Sequence, residues 1–347
     1  MKNILFIHSC DIDDPKRGTP IRIQLLLKEL KRHPELRIET YNAKGKRIWQ
    51  RMKELRNYKQ SIYLGNTQTD WWTLILSKLF YGKRIAIDLH GAWEEELYQN
   101  GIINHFKRQW MKWLYRTTIR LFDLVGCVNT HLQQHLAPTH PNTVVMYPGY
   151  DPELFPNPAI KRHQPLRIGY VGNARAYQGT EYVLRVAKRL SEQQLPFQLR
   201  IISSEESRMK QLILQELGDH PNYLETRYSV PHKLVLPAIQ ECDVLLVLRP
   251  KNPVTDNSFP SKLPEYLATG RTILITKISD VEEILTHGRN AFLINPDKRF
   301  EETVELIEKM IHNELPLLDP TQVTEIAKRK FSIEIVTKAY IHRIHQL

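Results

Sequence analysis

Residues 257–270 read NSFPSKLPEYLATG and set Ser261, Lys262 and Glu265 between two apolar runs, DVLLVL before and RTILIT after. The runs are short and rich in Val, Leu and Ile, so they read as strands buried in a parallel sheet. The segment after Ser261 reads as a short helix, with Pro264 tolerated in its first turn and Gly270 at its exit. A strand, a loop and a helix start form an anion site, because the first N–H groups of a helix are unbonded and its dipole is positive there. Lys262 adds a cation, and Glu265, three residues on, shares its helix face. A second reading needs no ligand: Ser261 caps the helix, worth ~1 kcal/mol, and Lys262 is solvated.

Other residues stand at the ends of apolar runs, where open α/β sheets bind ligands. His90 follows RIAIDL, Gly172 closes IGYVG with Arg175 in the loop beyond it, and Arg249 follows DVLLVL. Gly18 sits in RGTP after the first run. At Gly18 and Gly172 the missing side chain permits close backbone approach, or simply a turn. Asp11, Asp13 and Asp14 read as a solvated acidic loop.

The elements that must position these residues alternate along the chain. Strand candidates in the first half are KNILFIHS, RIETYN, SIYLGN, RIAIDLH, LVGCVN and TVVMYP. In the second half they are LRIGYVG, FQLRIIS, YLETRYS, DVLLVLR, RTILIT and AFLINP. TPIRIQLLLKELKRH and GTEYVLRVAKRLSEQ carry apolar residues at helical spacing between strands. That alternation predicts an α/β protein with parallel sheets, in two similar units. The Pro-rich, aperiodic stretch 148–165 reads as the linker. The expected domains are 1–158, 159–332, and a last helix over 333–347 packing back on the first.

The 347 residues suffice for two domains, and 41% apolar with 25% charged residues is a globular composition. The 3 cysteines are sparse and far apart, which argues for free thiols in a reducing compartment. MKNILFIHSC is too short for a signal peptide, and no apolar run nears the roughly 20 residues that span a bilayer. The expectation is a soluble, cytoplasmic protein.

Charge is uneven. Residues 1–160 hold 23 Lys and Arg against 15 Asp and Glu, +8 of the net +11. Part of the excess lies in 44–59. Another part lies in 103–122, where Lys107, Arg108, Lys112 and Arg116 interleave with Trp110 and Trp113. That pattern fits an amphipathic helix on an anionic membrane surface, or one packing its aromatics inward. Nucleic acid would attract the same charge, but only the charge suggests it.

Taken in order, RGTPIRIQLLLKEL, IDLHGAWEEE, LFDLVGCVNTHLQQHL, YVGNARAYQGTEYVLRVAKRL and EYLATGRTILIT…VEEILTHGRNAFLINPD resemble the GT-B glycosyltransferases of retaining family 4 (glycosyltransferase group 1). The resemblance runs through nearly the whole chain. It implies two Rossmann-like parallel-sheet domains facing a cleft, the second binding a nucleotide-diphospho-sugar of UDP or GDP type and the first an acceptor glycan or lipid-linked glycan. It implies no cofactor and no metal, and so no metal set from Asp88, His90 and Glu94. Lys262 and the helix start would hold the diphosphate, Glu265 the ribose diol, and His90 would hydrogen-bond the donor sugar. Gly18 and Gly172 would let the backbone approach the diphosphate. Two departures stand out. The family's first glutamate falls on Asn257, beside Asp256, and its basic loop positions fall on Asn173 and Gln178, with Arg175 between and Arg249 a possible substitute. The implied activity is sugar transfer with retention in envelope polysaccharide synthesis, at the inner face of the cell membrane. The departures leave a catalytically impaired nucleotide-sugar-binding subunit as the alternative, and charge alone leaves a transferase acting on nucleic acid.

Overall fold

The computed structural model describes residues 1–14, 18–138, 140–155 and 162–347. The twelve strands fall where the apolar runs predict: β1 (Lys2–His8), β2 (Leu36–Asn42), β3 (Ile62–Gly65), β4 (Arg84–Leu89), β5 (Leu124–Cys127) and β6 (Thr143–Val145), then β7 (Leu166–Val171), β8 (Phe197–Ser203), β9 (Leu224–Tyr228), β10 (Val244–Val247), β11 (Thr272–Thr276) and β12 (Phe292–Ile294). They form two six-stranded, all-parallel sheets with helices between the strands, an α/β architecture.

Strand order differs between the sheets. The first runs β2-β1-β3-β4-β5-β6, so the chain steps out by one strand and then reverses between β1 and β3. The second runs β9-β8-β7-β10-β11-β12, so it steps out by two and reverses between β7 and β10. Each reversal splays two loops at the carboxyl ends of the strands and opens a crevice there.

Contacts divide the chain into two units. One comprises Met1–Gly149, Asp256–Phe259 and Ile333–Leu347; the other comprises Tyr150–Thr255 and Pro260–Ser332. This division falls after Gly149, and the expected boundary at 158/159 lies outside the described residues. Within the first unit the last helix, Ile333–Gln346, packs through Tyr340, Ile341 and Ile344 with Ile23, Leu26 and Leu30 of Gly18–Lys31 and with Ile4 and Phe6 of β1. All three cysteines are free.

Candidate functional site

In the second unit the loops after β7 and β10 meet at Gly179. Its φ is +74°, and a Cβ there would stand 1.9 Å from the Leu248 carbonyl oxygen. Only glycine fits, because both the left-handed backbone and the space exclude a side chain. Gly172 lies in the same loop, where a Cβ would meet the Tyr170 hydroxyl at 2.3 Å. That hydroxyl is fixed at 2.6 Å from Thr180 Oγ1, which donates to the Asn173 carbonyl at 2.6 Å. The helix Thr180–Glu192 starts at this crevice, and no side chain caps its N-terminus among the described residues. Its first N–H groups and positive dipole end therefore point out of the carboxyl end of the sheet.

Arg249 is buried beside this loop and donates from Nε to the Tyr177 carbonyl at 3.1 Å. Arg175 sits 3.7 Å from the Glu205 carboxylate and is half exposed. Asn173 uses its side chain within the loop, accepting from the Arg175 N–H at 3.1 Å.

The short helix foreseen after Ser261 is Leu263–Ala268, with Pro264 in its first turn. Ser261 is exposed and does not cap it; the cap position falls on Lys262, which makes no side-chain cap bond. The chain turns tightly into the helix at this point, leaving Ser261 one position too early. Lys262 Nζ instead lies 3.7 Å from Glu265 Oε2. Glu265 is buried, and its Oε1 is 2.5 Å from His232 Nε2. Its Oε2 has no hydrogen-bond partner among the described residues. Burial alone would raise this carboxyl, but the Lys262 charge and the His232 hydrogen bond hold it below the usual carboxylate range. Glu265 is therefore an anion at neutral pH, with Oε1 held by His232 and the buried Oε2 in ion-pair range of Lys262 but without a hydrogen bond among the described residues.

Asn257 is buried in Asp256–Phe259, which groups with the first unit, whereas Ser261, Lys262 and Glu265 belong to the second. His232, which opens the helix His232–Gln240, was not foreseen. Its only signal in the sequence was a His at a helix start after Pro231.

In the first unit Gly18 opens the helix Gly18–Lys31, and His90 follows β4. His90 Nε2 lies 2.9 Å from Asp88, whose carboxylate takes two bonds from Arg22, at 3.1 and 2.9 Å, and one from Asn66 Nδ2 at 3.3 Å. Burial would raise the fully enclosed Asp88, yet the Arg22 charge and the hydrogen bond from His90 keep it low. Burial and the Arg22 charge lower His90 below its ordinary value, so its imidazole is neutral at pH 7. Glu94 turns away from this pair to His135, at 2.6 Å, so Asp88, His90 and Glu94 do not converge on one point. Arg22 was missed because nothing in RGTPIRIQ marks it; its partner lies 66 residues along the chain. Asp70 was missed as well. It is buried at the carboxyl ends of β1 and β3, accepts from Ser9 Oγ at 2.5 Å, and is pushed up to about 6, chiefly by burial.

The helix expected over 103–122 is His105–Thr118. Lys107, Trp110, Trp113 and Arg116 are exposed on it, whereas Arg108 and Lys112 are half-buried. Arg108 lies 3.4 Å from Glu95. Phe106, Trp110 and Trp113 thus face outward, whereas Tyr115 packs inward against Trp71 with ring centroids 4.8 Å apart, so the inward-packing alternative holds for that residue alone.

The family model for glycosyl transferases group 1 matches residues 153–330, just over half of the chain. Among solved structures, Anabaena HepE in complex with UDP-glucose is 14% identical, with a TM-score of 0.73 and 100% of both chains covered. Sucrose-phosphate synthase from Thermosynechococcus elongatus is 12% identical, with a TM-score of 0.78 over 100% of this chain and 99% of that one. The lipopolysaccharide outer core galactosyltransferase WaaB, in its apo form, is 14% identical with a TM-score of 0.69 over 99% of each chain. No curated protein sequence matches the chain. At these identities the neighbours speak for the GT-B fold alone, while the family model covers the crevice residues from Gly172 to Glu265, and on that match the chain belongs to the glycosyl transferases group 1.

Proposed function

We propose that this protein is a retaining glycosyltransferase of family 4 that moves a hexosyl group from a nucleotide-diphospho-sugar of UDP or GDP type to a glycan or lipid-linked acceptor in envelope polysaccharide synthesis. The observation that carries the reading is the Glu265 carboxylate, charged and buried, with Oε1 bound by His232 and Oε2 without a hydrogen bond among the described residues. Such an acceptor suits a ribose diol, whose hydroxyls offer two donors. Lys262 and the uncapped start of Thr180–Glu192 suit the diphosphate, whose negative charge grows as the sugar leaves. Arg249 and Arg175 bring positive charge beside Asn173 and Gln178, and Gly172 and Gly179 let that loop pack directly on Tyr170 and the Leu248 carbonyl. Neighbours solved with UDP-glucose agree with a nucleotide-sugar donor.

The first unit takes the acceptor, and neutral His90, which donates from Nε2 to the Asp88 carboxylate aligned by Arg22, accepts one hydrogen bond from a sugar hydroxyl at Nδ1. The exposed aromatic and basic face of His105–Thr118 supports work at the inner membrane surface, where a lipid-linked acceptor would reside. The reaction calls on no cofactor beyond the donor. The departures at Asn257, Asn173 and Gln178 keep one second reading in view, a subunit that binds the donor without turning it over.

Thermal unfolding with UDP, GDP, ADP and their common sugars tests the donor site. A ligand at a hundredfold excess over its dissociation constant stabilises by ~2.7 kcal/mol, several degrees in a chain of this size. The expected result is a shift with one base, lost in Glu265→Ala. No shift with any nucleotide rejects the reading. A shift without transfer or hydrolysis in the presence of cell extract selects the donor-binding subunit, and NMR of the product anomer checks retention.

A further inference from the structure

The first sheet fixes where its helices lie. Crossovers between parallel strands are right-handed. The steps β2→β3, β3→β4 and β4→β5 all run one way along the sheet, while β1→β2 runs the other. Helices Ile48–Leu55, Trp71–Tyr81 and His105–Thr118 therefore form one layer on one face, with Gly18–Lys31 on the opposite face. The layer is continuous. Tyr81 donates to the Met52 carbonyl at 2.7 Å, and Trp71 Nε1 donates to Thr118 Oγ1 at 3.0 Å.

Each helix turns apolar side chains inward (Leu55; Trp71 and Leu74; Tyr115) and keeps others outside. Trp49 is 59% exposed, Trp72 42%, Phe80 70%, Phe106 80%, Trp110 51% and Trp113 60%. The sequence has six tryptophans, and the four exposed ones all lie on this layer. The layer is also short of carboxylates: residues 97–122 contain none, and 44–59 hold seven basic residues against Glu54.

We propose that the outer surface of all three helices, not His105–Thr118 alone, docks on an anionic lipid bilayer. Exposed indoles amid Lys and Arg suit the boundary between headgroups and acyl chains, and the one-sided charge suits an anionic leaflet. Pairing with a second copy would set two basic surfaces against each other. The inference deepens the acceptor reading above but needs no donor to be tested.

The experiment is flotation of the full chain with phosphatidylcholine vesicles, with and without phosphatidylglycerol, alongside nucleotide-induced thermal shifts on the same samples. Expected is binding to the anionic vesicles with a blue shift of tryptophan emission. Expected too is a loss of roughly 25-fold in Lys53→Ala/Lys107→Ala, about fivefold per basic residue. Trp49→Ala/Trp72→Ala, which leaves His105–Thr118 intact, should bind several-fold more weakly. Absence of flotation overturns the proposal, and so does unchanged binding of the second pair, which would confine contact to one helix. It is overturned equally by concentration-dependent dimerisation lost in these variants, or by oligonucleotide binding without vesicle binding. A chain that shifts with nucleotide but does not float loses this inference alone; one that floats without any nucleotide shift loses the donor reading alone.

Discussion

The two units are built from the same kind of sheet and differ in how they treat buried charge. In the first, Asp88 is fully enclosed and bonded by Arg22, Asn66 and His90. In the second, Glu265 is nearly as buried, yet its Oε2, 3.7 Å from Lys262 Nζ, has no hydrogen bond among the described residues. A closed network fixes geometry, whereas an open one waits for a donor from outside. The surfaces differ as well. Every tryptophan lies in the first 113 residues, and the second unit has none. Similar cores thus carry dissimilar work, and the division is written in polar satisfaction and surface chemistry.

Seven substitutions test whether the two units differ in this way. The largest effect is expected at Trp71, fully buried against Tyr115 and Phe122 with centroids at 4.8 and 4.7 Å. Trp71→Ala should cost about 3–5 kcal/mol in denaturant unfolding. Asp88→Asn strands the Arg22 guanidinium and should cost about 3 kcal/mol, while Glu265→Gln should cost under about 1 kcal/mol and lose nucleotide binding. Equal stability losses at Asp88 and Glu265 would erase the contrast between closed and open networks. Gly179→Ala should cost about 2–4 kcal/mol, since the left-handed strain adds to displacement of the Leu248 carbonyl. Gly45→Ala in the first unit meets nothing within 4 Å at φ +73° and should cost only about 1 kcal/mol.

Acid titration separates the carboxylates further. The folded state lowers Asp88 and Glu265, so their stabilisation is complete above the unfolded value near 4 and is lost as pH falls through the lowered one. Asp70 is raised to about 6 and has the opposite sign: stability declines as pH rises from about 4 to 6, by roughly 1–3 kcal/mol. Asp70→Asn should abolish that decline in unfolding measured across this window; an unchanged slope would assign it to other groups. The smallest effect is expected one residue beyond Trp71. Trp72 faces outward, and Trp72→Ala should move stability by no more than about 0.5 kcal/mol.

Most strands were legible because parallel strands buried on both faces read as apolar runs, whereas the edge strands β2 and β9 carry Arg37, Glu39, Glu225 and Arg227 and were marked by the alternation around them. Lys262 and Glu265 were legible for a local reason, being three residues apart on one short helix. What escaped was pairing across the fold. Arg22 and Asp88, or His232 and Glu265, meet because the sheet brings their segments side by side, 66 and 33 residues apart in sequence. Strand order decides such meetings, and two sequence halves with the same alternation took two orders. Ser261 missed its capping role by a single position, a distance below the resolution of boundary reading.

The contact between Gly179 and the Leu248 carbonyl has a mechanical consequence. With no room for a single methyl group, and with Arg249 bonded to the Tyr177 carbonyl, the loops after β7 and β10 pack directly on each other. A ligand pressing on either loop displaces both, so amide exchange in the two should slow together when a nucleotide arrives.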